Sequence, residues 1–291
     1  MKLEGRRQSS NVDDRRRSSA AGTAGGLGIA GVVIYFVISL LSGNGVDLSS
    51  LQGMLGDGAT VQSEREITPE EEKLAIFASQ VLAGTEDVWT AYFSAHGLGE
   101  YEAPKMVLYT GSTRSGCGQG SAAMGPFYCS ADKSVYIDLS FFTSMKSQIG
   151  ADGDFAYAYV IAHEVGHHVQ NLLGILGQAH QKMSSVSKKE ANEISVRLEL
   201  QADFFAGLWA HHDNKRFNSL EDGDIDEALN CAAKIGDDYL QKKSQGYVVS
   251  ESFTHGTAAQ RSRWLKKGLQ TGDINQGNTF SYRCNRNFFC Y

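Results

Sequence analysis

Residues 154–171 read DFAYAYVIAHEVGHHVQN, and the way this stretch folds decides what kind of domain the chain builds. Its apolar positions, and the absence of proline, predict one helix from Asp154 through Asn171. A helix advances about 100° per residue, so His163 and His167 lie about 40° apart on one face, one turn from each other. Two imidazoles so placed can grip one tetrahedral zinc ion. Glu164 stands beside them, and in the H-E-x-x-H pattern that glutamate is the general base toward water. Three fixed positions also occur by chance on solvated helix faces. Here the flanks YAYVIA and V are apolar, which half-buries the histidines and leaves them in need of a partner. Gly166 costs about 1 kcal/mol in a helix relative to alanine, which fits a place where another segment approaches the backbone. His168 points about 100° away from His167 and reads as structural. His96, His180, His211 and His212 have no ligand spacing to His163 and read as surface histidines.

A third ligand is needed, and ELQAD at residues 199–203 supplies it. Glu199 and Asp203 are four apart on one predicted helix face. That suits Glu199 as ligand and Asp203 as the acid that accepts the other N–H of a ligand histidine. Glu190 and Glu193 compete for the role but lie in the polar opening KKEANE, where Glu193 can pair with Arg197 at i,i+4. Around Glu199 the sequence VRLELQADFFAGLWA is strongly apolar. A carboxylate there requires a partner, either the metal or a basic residue from another segment.

The chain has 291 residues, 42% of them hydrophobic, and a net charge of −6, which argues against general binding of nucleic acid. The charge is uneven. Residues 1–17 hold six lysines and arginines against three acids, a net +3, which leaves −9 for the rest. No residue between Arg17 and Asp47 is charged, and LGIAGVVIYFVISLL lies at the centre of this gap. With its flanks the apolar span is about 20 residues, enough to cross a bilayer. It is longer than the apolar part of a cleaved signal peptide, and LLSGNG is a poor cleavage site. The expectation is a basic cytoplasmic segment over 1–21, a transmembrane helix over 22–42, a flexible tether over 43–67 and a metallopeptidase domain over 68–291. The positive-inside rule then sends the domain across the membrane. Of five cysteines, Cys117 with Cys129 and Cys284 with Cys290 bracket short loops that disulfides can close in an oxidising compartment. Cys231 is left over inside a helical pattern, and no C-x-x-C spacing occurs.

Thr68, Pro69 and the acids of PEEE predict a helix start. KMVLYTG and SVYIDLSFF read as strands on either side of a glycine-rich cysteine loop. Helical patterns return over 188–212 and 224–243, and T-A-A-Q at Thr257 has capping-box spacing. Strands followed by several helices give an α+β domain.

HEVGHH followed by ELQADFFAG resembles the neutral zinc metallopeptidase family of bacteria, single-span membrane proteins with an H-E-x-x-H site. The similarity extends to EGRRQSSNVDDRR, GPFYCSADKSVYIDLSFF and SFTHGTAAQRSRW, nearly the whole chain outside the tether. It implies a zincin-like fold in which a strand edge beside the active helix binds substrate, a Zn2+ cofactor, a peptide or protein substrate, and a place in the bacterial inner membrane with the catalytic domain periplasmic or extracellular. T-H-G-T-A-A-Q-R is also similar to the T-H-P-x-x-x-x-R segment of membrane-bound zinc endopeptidases of the CAAX-processing and heat-shock type. That likeness implies that His255 stabilises the oxyanion and that Arg261 anchors its loop, although Gly256 stands where those proteins have proline. The alternatives are a helix cap in which His255 only packs, a membrane-tethered binding or scaffold module with structural zinc, and hydrolysis of a non-protein amide.

Overall fold

A computed structural model of the protein describes residues 1–17 and 65–280. Strand β1 (Val12–Asp14) is followed by helix α1 (Pro69–His96), strands β2 (Lys105–Tyr109), β3 (Ser112–Ser115), β4 (Gly118–Ser121), β5 (Phe127–Cys129) and β6 (Ser134–Asp138), and helix α2 (Ser140–Ser144). Six helices complete the described chain: α3 (Asp154–Leu172), α4 (Ile175–Met183), α5 (Lys188–Phe217), α6 (Asp224–Lys234), α7 (Asp237–Gln245) and α8 (Ala258–Thr271). The architecture is mixed α+β. One sheet has the order β1-β2-β6-β5, parallel except for β5, and β3–β4 form a separate hairpin.

Strands β2 and β6 are buried on both faces, as parallel strands usually are. Met106, Leu108, Val135 and Ile137 face the main core, while Val107, Tyr109 and Tyr136 alternate onto the other face beside Cys129. The Cys117–Cys129 disulfide is formed there and ties the β3–β4 hairpin to edge strand β5. Cys284 and Cys290 lie outside the described residues. Cys231 is free and buried, with its Sγ 3.6 Å from Met145 Sδ.

Helix boundaries follow local chemistry. Thr68, Ser187 and Thr257 each close a capping box, on α1, α5 and α8. The helical pattern read over 224–243 forms two helices, α6 and α7, with a break at Ile235 and Gly236. The break is used: Ile235 O accepts from Arg261, and the Asp237 carboxylate accepts backbone N–H groups of Thr254, His255 and Gly256. Helix α3 crosses α5 at Gly166, where a Cβ would lie 2.9 Å from Ala202 O and 3.1 Å from Ala202 Cα. This close crossing is the reason for glycine between the two histidines.

The structure corrects the expected membrane topology. The apolar run at 22–42 lies outside the described residues, and no helix among the described residues is long and apolar enough to cross a membrane. The basic start, expected in a different compartment from the domain, is built into it. Strand β1 pairs in parallel with β2, Val12 opposite Met106. Arg6 makes a two-pronged ion pair with Asp213, at 2.9 and 2.7 Å, and Arg7 pairs with Asp87. Arg16 is buried against Asp14, Glu72 and the Glu71 carbonyl. The amino group of Met1 lies 2.7 Å from Asp154 and 3.2 Å from Asp224. Arg65 N donates to Arg17 O at 3.3 Å, so the two ends of the intervening segment meet. A single crossing would leave those ends on opposite sides of a bilayer. A cytoplasmic N-terminus with the domain on the far side, joined by one span, is therefore overturned. The arginines that suggested it serve the acids of the domain itself.

Candidate active site

Helices α3 and α5 bring the sequence-predicted groups together. His163 Nε2 lies 3.1 Å from Glu199 Oε2, and His167 Nε2 lies 3.4 Å from Glu199 Oε1. All three donor atoms fall within 4.8 Å of one another. The rivals Glu190 and Glu193 are exposed, and Glu190 is occupied with the Ser187 cap.

The partners of the rings decide what those atoms offer. His163 Nδ1 donates to Asp203 Oδ1 at 2.8 Å, and His167 Nδ1 donates to Gln170 Oε1 at 2.9 Å. With Nδ1 protonated, a neutral imidazole presents a lone pair at Nε2. Two such lone pairs face the lone pairs of Glu199, an arrangement that repels unless a proton or a cation lies between them. Burial disfavours a charged His163, but Asp203 and then Glu199 outweigh it and push its pKa up to about 10. Burial likewise opposes charge on Glu199, yet His167, His255 and His163 hold it well below the usual carboxylate range. This is a site of unmet negative charge. Ligands about 2.1 Å from a tetrahedral ion stand about 3.4 Å apart, so the spacing and the two-nitrogen, one-oxygen donor set fit zinc.

A second set of contacts fixes the donors. Asp203 is completely buried and receives Arg261 Nε and Nη2, each at 2.9 Å, as well as the Tyr159 hydroxyl at 2.5 Å. Burial would raise its pKa, but Arg261 and then His163 hold it at about 2. Gln170 Nε2 donates to Leu198 O at 2.7 Å, which ties the His167 partner to the backbone next to Glu199. Tyr159 and Gln170 were not singled out in the sequence, although they stand four residues before His163 and three after His167. Those spacings place each on its histidine's face.

Glu164 is buried and lines the same cavity, of about 510 Å3, and its carboxylate makes no hydrogen bond among the described residues. His255 lines that cavity too. Its Nδ1 is held by Thr254 Oγ1 at 3.0 Å and Asp237 Oδ1 at 3.3 Å, so Nε2 is the nitrogen available to the cleft. Burial opposes charge on His255, but Glu199 and Asp237 raise its pKa nonetheless. Gly256 has φ +93° and donates its N–H to Asp237, two things proline cannot do, so this loop differs in backbone from a T-H-P segment. No sequence pattern pointed to Asp237, which joins from a separate helix. His180, read as a surface residue, also lines the cavity.

The remaining residues of HEVGHHVQN hold the strand beside the site. His168 Nε2 donates to Glu102 O at 2.6 Å, so its Nδ1 accepts from the Tyr128 hydroxyl at 3.0 Å, and Asn171 Nδ2 donates to the same hydroxyl at 3.1 Å. Burial lowers the His168 pKa to about 4, which keeps this clamp neutral. Tyr128 and Phe127 of edge strand β5 thereby line the cleft.

A family model described as "Putative neutral zinc metallopeptidase" matches residues 1–280. The chain is 51% identical over 287 residues to "Uncharacterized protein YpfJ" of Escherichia coli (strain K12), covering 96% of this chain and 99% of that protein. It is 44% identical over 191 residues to "Uncharacterized protein Rv2575" of Mycobacterium tuberculosis (strain H37Rv), covering 62% of this chain and 64% of that one. No solved structure matches.

Proposed function

The chain belongs to the neutral zinc metallopeptidase family, and on that premise we propose that it hydrolyses internal peptide bonds of polypeptides at the cleft between α3, α5 and β5. The observation that carries this reading is the convergence of His163 Nε2, His167 Nε2 and Glu199 on one point, with the buried carboxylate of Glu164 next to them. His163, His167 and Glu199 hold the metal in this account. Bound there, zinc supplies Lewis acidity and lowers the pKa of a coordinated water.

The other steps belong to the chain's own groups. Glu164 takes the proton of the attacking water and returns it to the departing amine. Asp203 and Gln170 keep both imidazoles in the tautomer that points Nε2 inward, and Arg261 keeps Asp203 ionised. His255, whose Nδ1–H is held by Asp237, donates from Nε2 to the oxyanion in its charged form, which Glu199 and Asp237 favour. Among the described residues edge strand β5 pairs with β6 on one side only, and its other edge can take up an extended peptide by main-chain hydrogen bonds.

The test is cleavage of an unfolded protein by the full-length zinc-loaded chain, with and without chelator, beside Glu164→Gln. Chelator and the variant should each abolish turnover, while the variant keeps its zinc. Turnover that survives Glu164→Gln would contradict the assignment of the base.

A further inference from the structure

One part of the cleft has no role in holding the metal. Three of the chain's six methionines, Met124, Met145 and Met183, line it, together with Phe141, Ile149 and Leu240. They come from distant stretches: the turn at Ala122–Met124, helix α2 and the turn after it, α4, and α7. The charged groups on the cavity wall are Glu164, Glu199, Asp237 and Arg261, besides the histidines. Asp237 is taken up by His255 and three backbone N–H groups, Arg261 by Asp203, and Glu199 by two imidazoles. Glu164 is the one carboxylate of the cavity left without a partner among the described residues, and the proposed reaction uses it for water; the apolar wall itself offers no charge to a substrate side chain.

We propose that this wall selects peptides by a large apolar side chain next to the scissile bond, and that its methionines make it tolerant among such side chains; the inference rests on the hydrolytic reading above. A substrate lysine or aspartate would lose its water without gaining a partner. A glycine would leave the apolar walls around Met124, Met145 and Met183 uncovered. A rigid pocket separates substrates that differ by one methylene by about 10- to 200-fold. Methionine side chains have three rotatable bonds and a polarizable sulfur, so the half-buried Met124 and Met183 re-form this wall around different shapes, over Met145, which is buried with its Sδ on Cys231 Sγ. Leucine, methionine and phenylalanine should therefore be accepted within about tenfold of one another.

The test reads binding apart from chemistry. Full-length zinc-loaded Glu164→Gln protein carrying methyl-13C methionine is titrated with octapeptides identical except for a central Leu, Met, Phe or Asp. Resonances are assigned with Met124→Leu, Met145→Leu and Met183→Leu. The Leu, Met and Phe peptides should shift the three cleft methyls but not Met106, with Kd values within about tenfold, and the Asp peptide should bind about 100-fold more weakly or worse. Equal binding of the Asp peptide, shifts that bypass the three cleft methyls, or a spread beyond about 100-fold among the apolar peptides would overturn the proposal. Wild-type protein that shows the expected shifts yet cuts none of the peptides would refute hydrolysis while upholding apolar selection.

Discussion

Gly166 and Gly177 both lie inside helices, and replacing each with alanine should move stability in opposite directions. At Gly166 a Cβ would sit 2.9 Å from Ala202 O and 3.1 Å from Ala202 Cα, both backbone atoms of α5. Neither can rotate out of the way, so the helices must separate by a few tenths of an ångström. Overpacking of this kind costs up to about 3 kcal/mol. Alanine recovers about 1 kcal/mol of helix propensity, which leaves a net loss of about 2 kcal/mol. For a domain of this size that lowers Tm by roughly 4–8 °C. At Gly177 an added Cβ meets nothing within 4 Å, so the propensity gain of up to about 1 kcal/mol stands alone and Tm should rise by roughly 2–4 °C. Ala202 sits next to Asp203 and three residues after Glu199, so the Gly166 displacement falls on the proposed zinc site as well. Competition with a chromophoric chelator should give Gly166→Ala at least about tenfold weaker zinc binding, with Gly177→Ala unchanged. Thermal denaturation of metal-free protein measures the stability difference directly. A Gly166→Ala protein as stable as Gly177→Ala, with wild-type zinc affinity, would refute the close crossing as the reason for this glycine.

Asp203→Asn removes the charge that fixes the His163 tautomer and should weaken zinc binding by about 10- to 100-fold, measured by the same competition. Arg261→Ala leaves the fully buried Asp203 without its guanidinium, and denaturant unfolding should register a loss of about 3–5 kcal/mol. Arg6→Ala strands the buried carboxylate of Asp213 and should cost about 3 kcal/mol in the same assay. Arg7→Ala, at a half-exposed pair, should cost under about 1 kcal/mol. Equal effects of the two arginine variants would contradict the packing of residues 1–17 on the domain.

Features set by residues near one another in the chain were legible in the sequence. The H-E-x-x-H face, the i,i+4 pair Glu199 and Asp203, and the caps at Thr68 and Thr257 all follow from helix periodicity and local hydrogen bonds, and the structure brings them where the spacing puts them. Several groups that meet only by tertiary packing were not legible. Asp237 reaches His255 from another helix, and the break before it exists because Ile235 O and Asp237 both serve the segment around α8. Strand β5 has three residues inside a glycine-rich loop, too few to register an alternating pattern. The opening segment misled for a physical reason. Arginines ahead of a long apolar run are the charge signature of a membrane orientation, and nothing local reveals that Asp213, Asp87 and Glu72 lie folded against them.

The measurement that bears most directly on the zinc site is metal stoichiometry by elemental analysis of the full-length protein, wild type beside Glu199→Ala and Glu193→Ala, after exchange against limiting free zinc. The site described here predicts one zinc per chain in the wild type, close to one in Glu193→Ala, whose carboxylate is exposed, and a sharp loss in Glu199→Ala. Zinc retained by Glu199→Ala and lost from Glu193→Ala would contradict it.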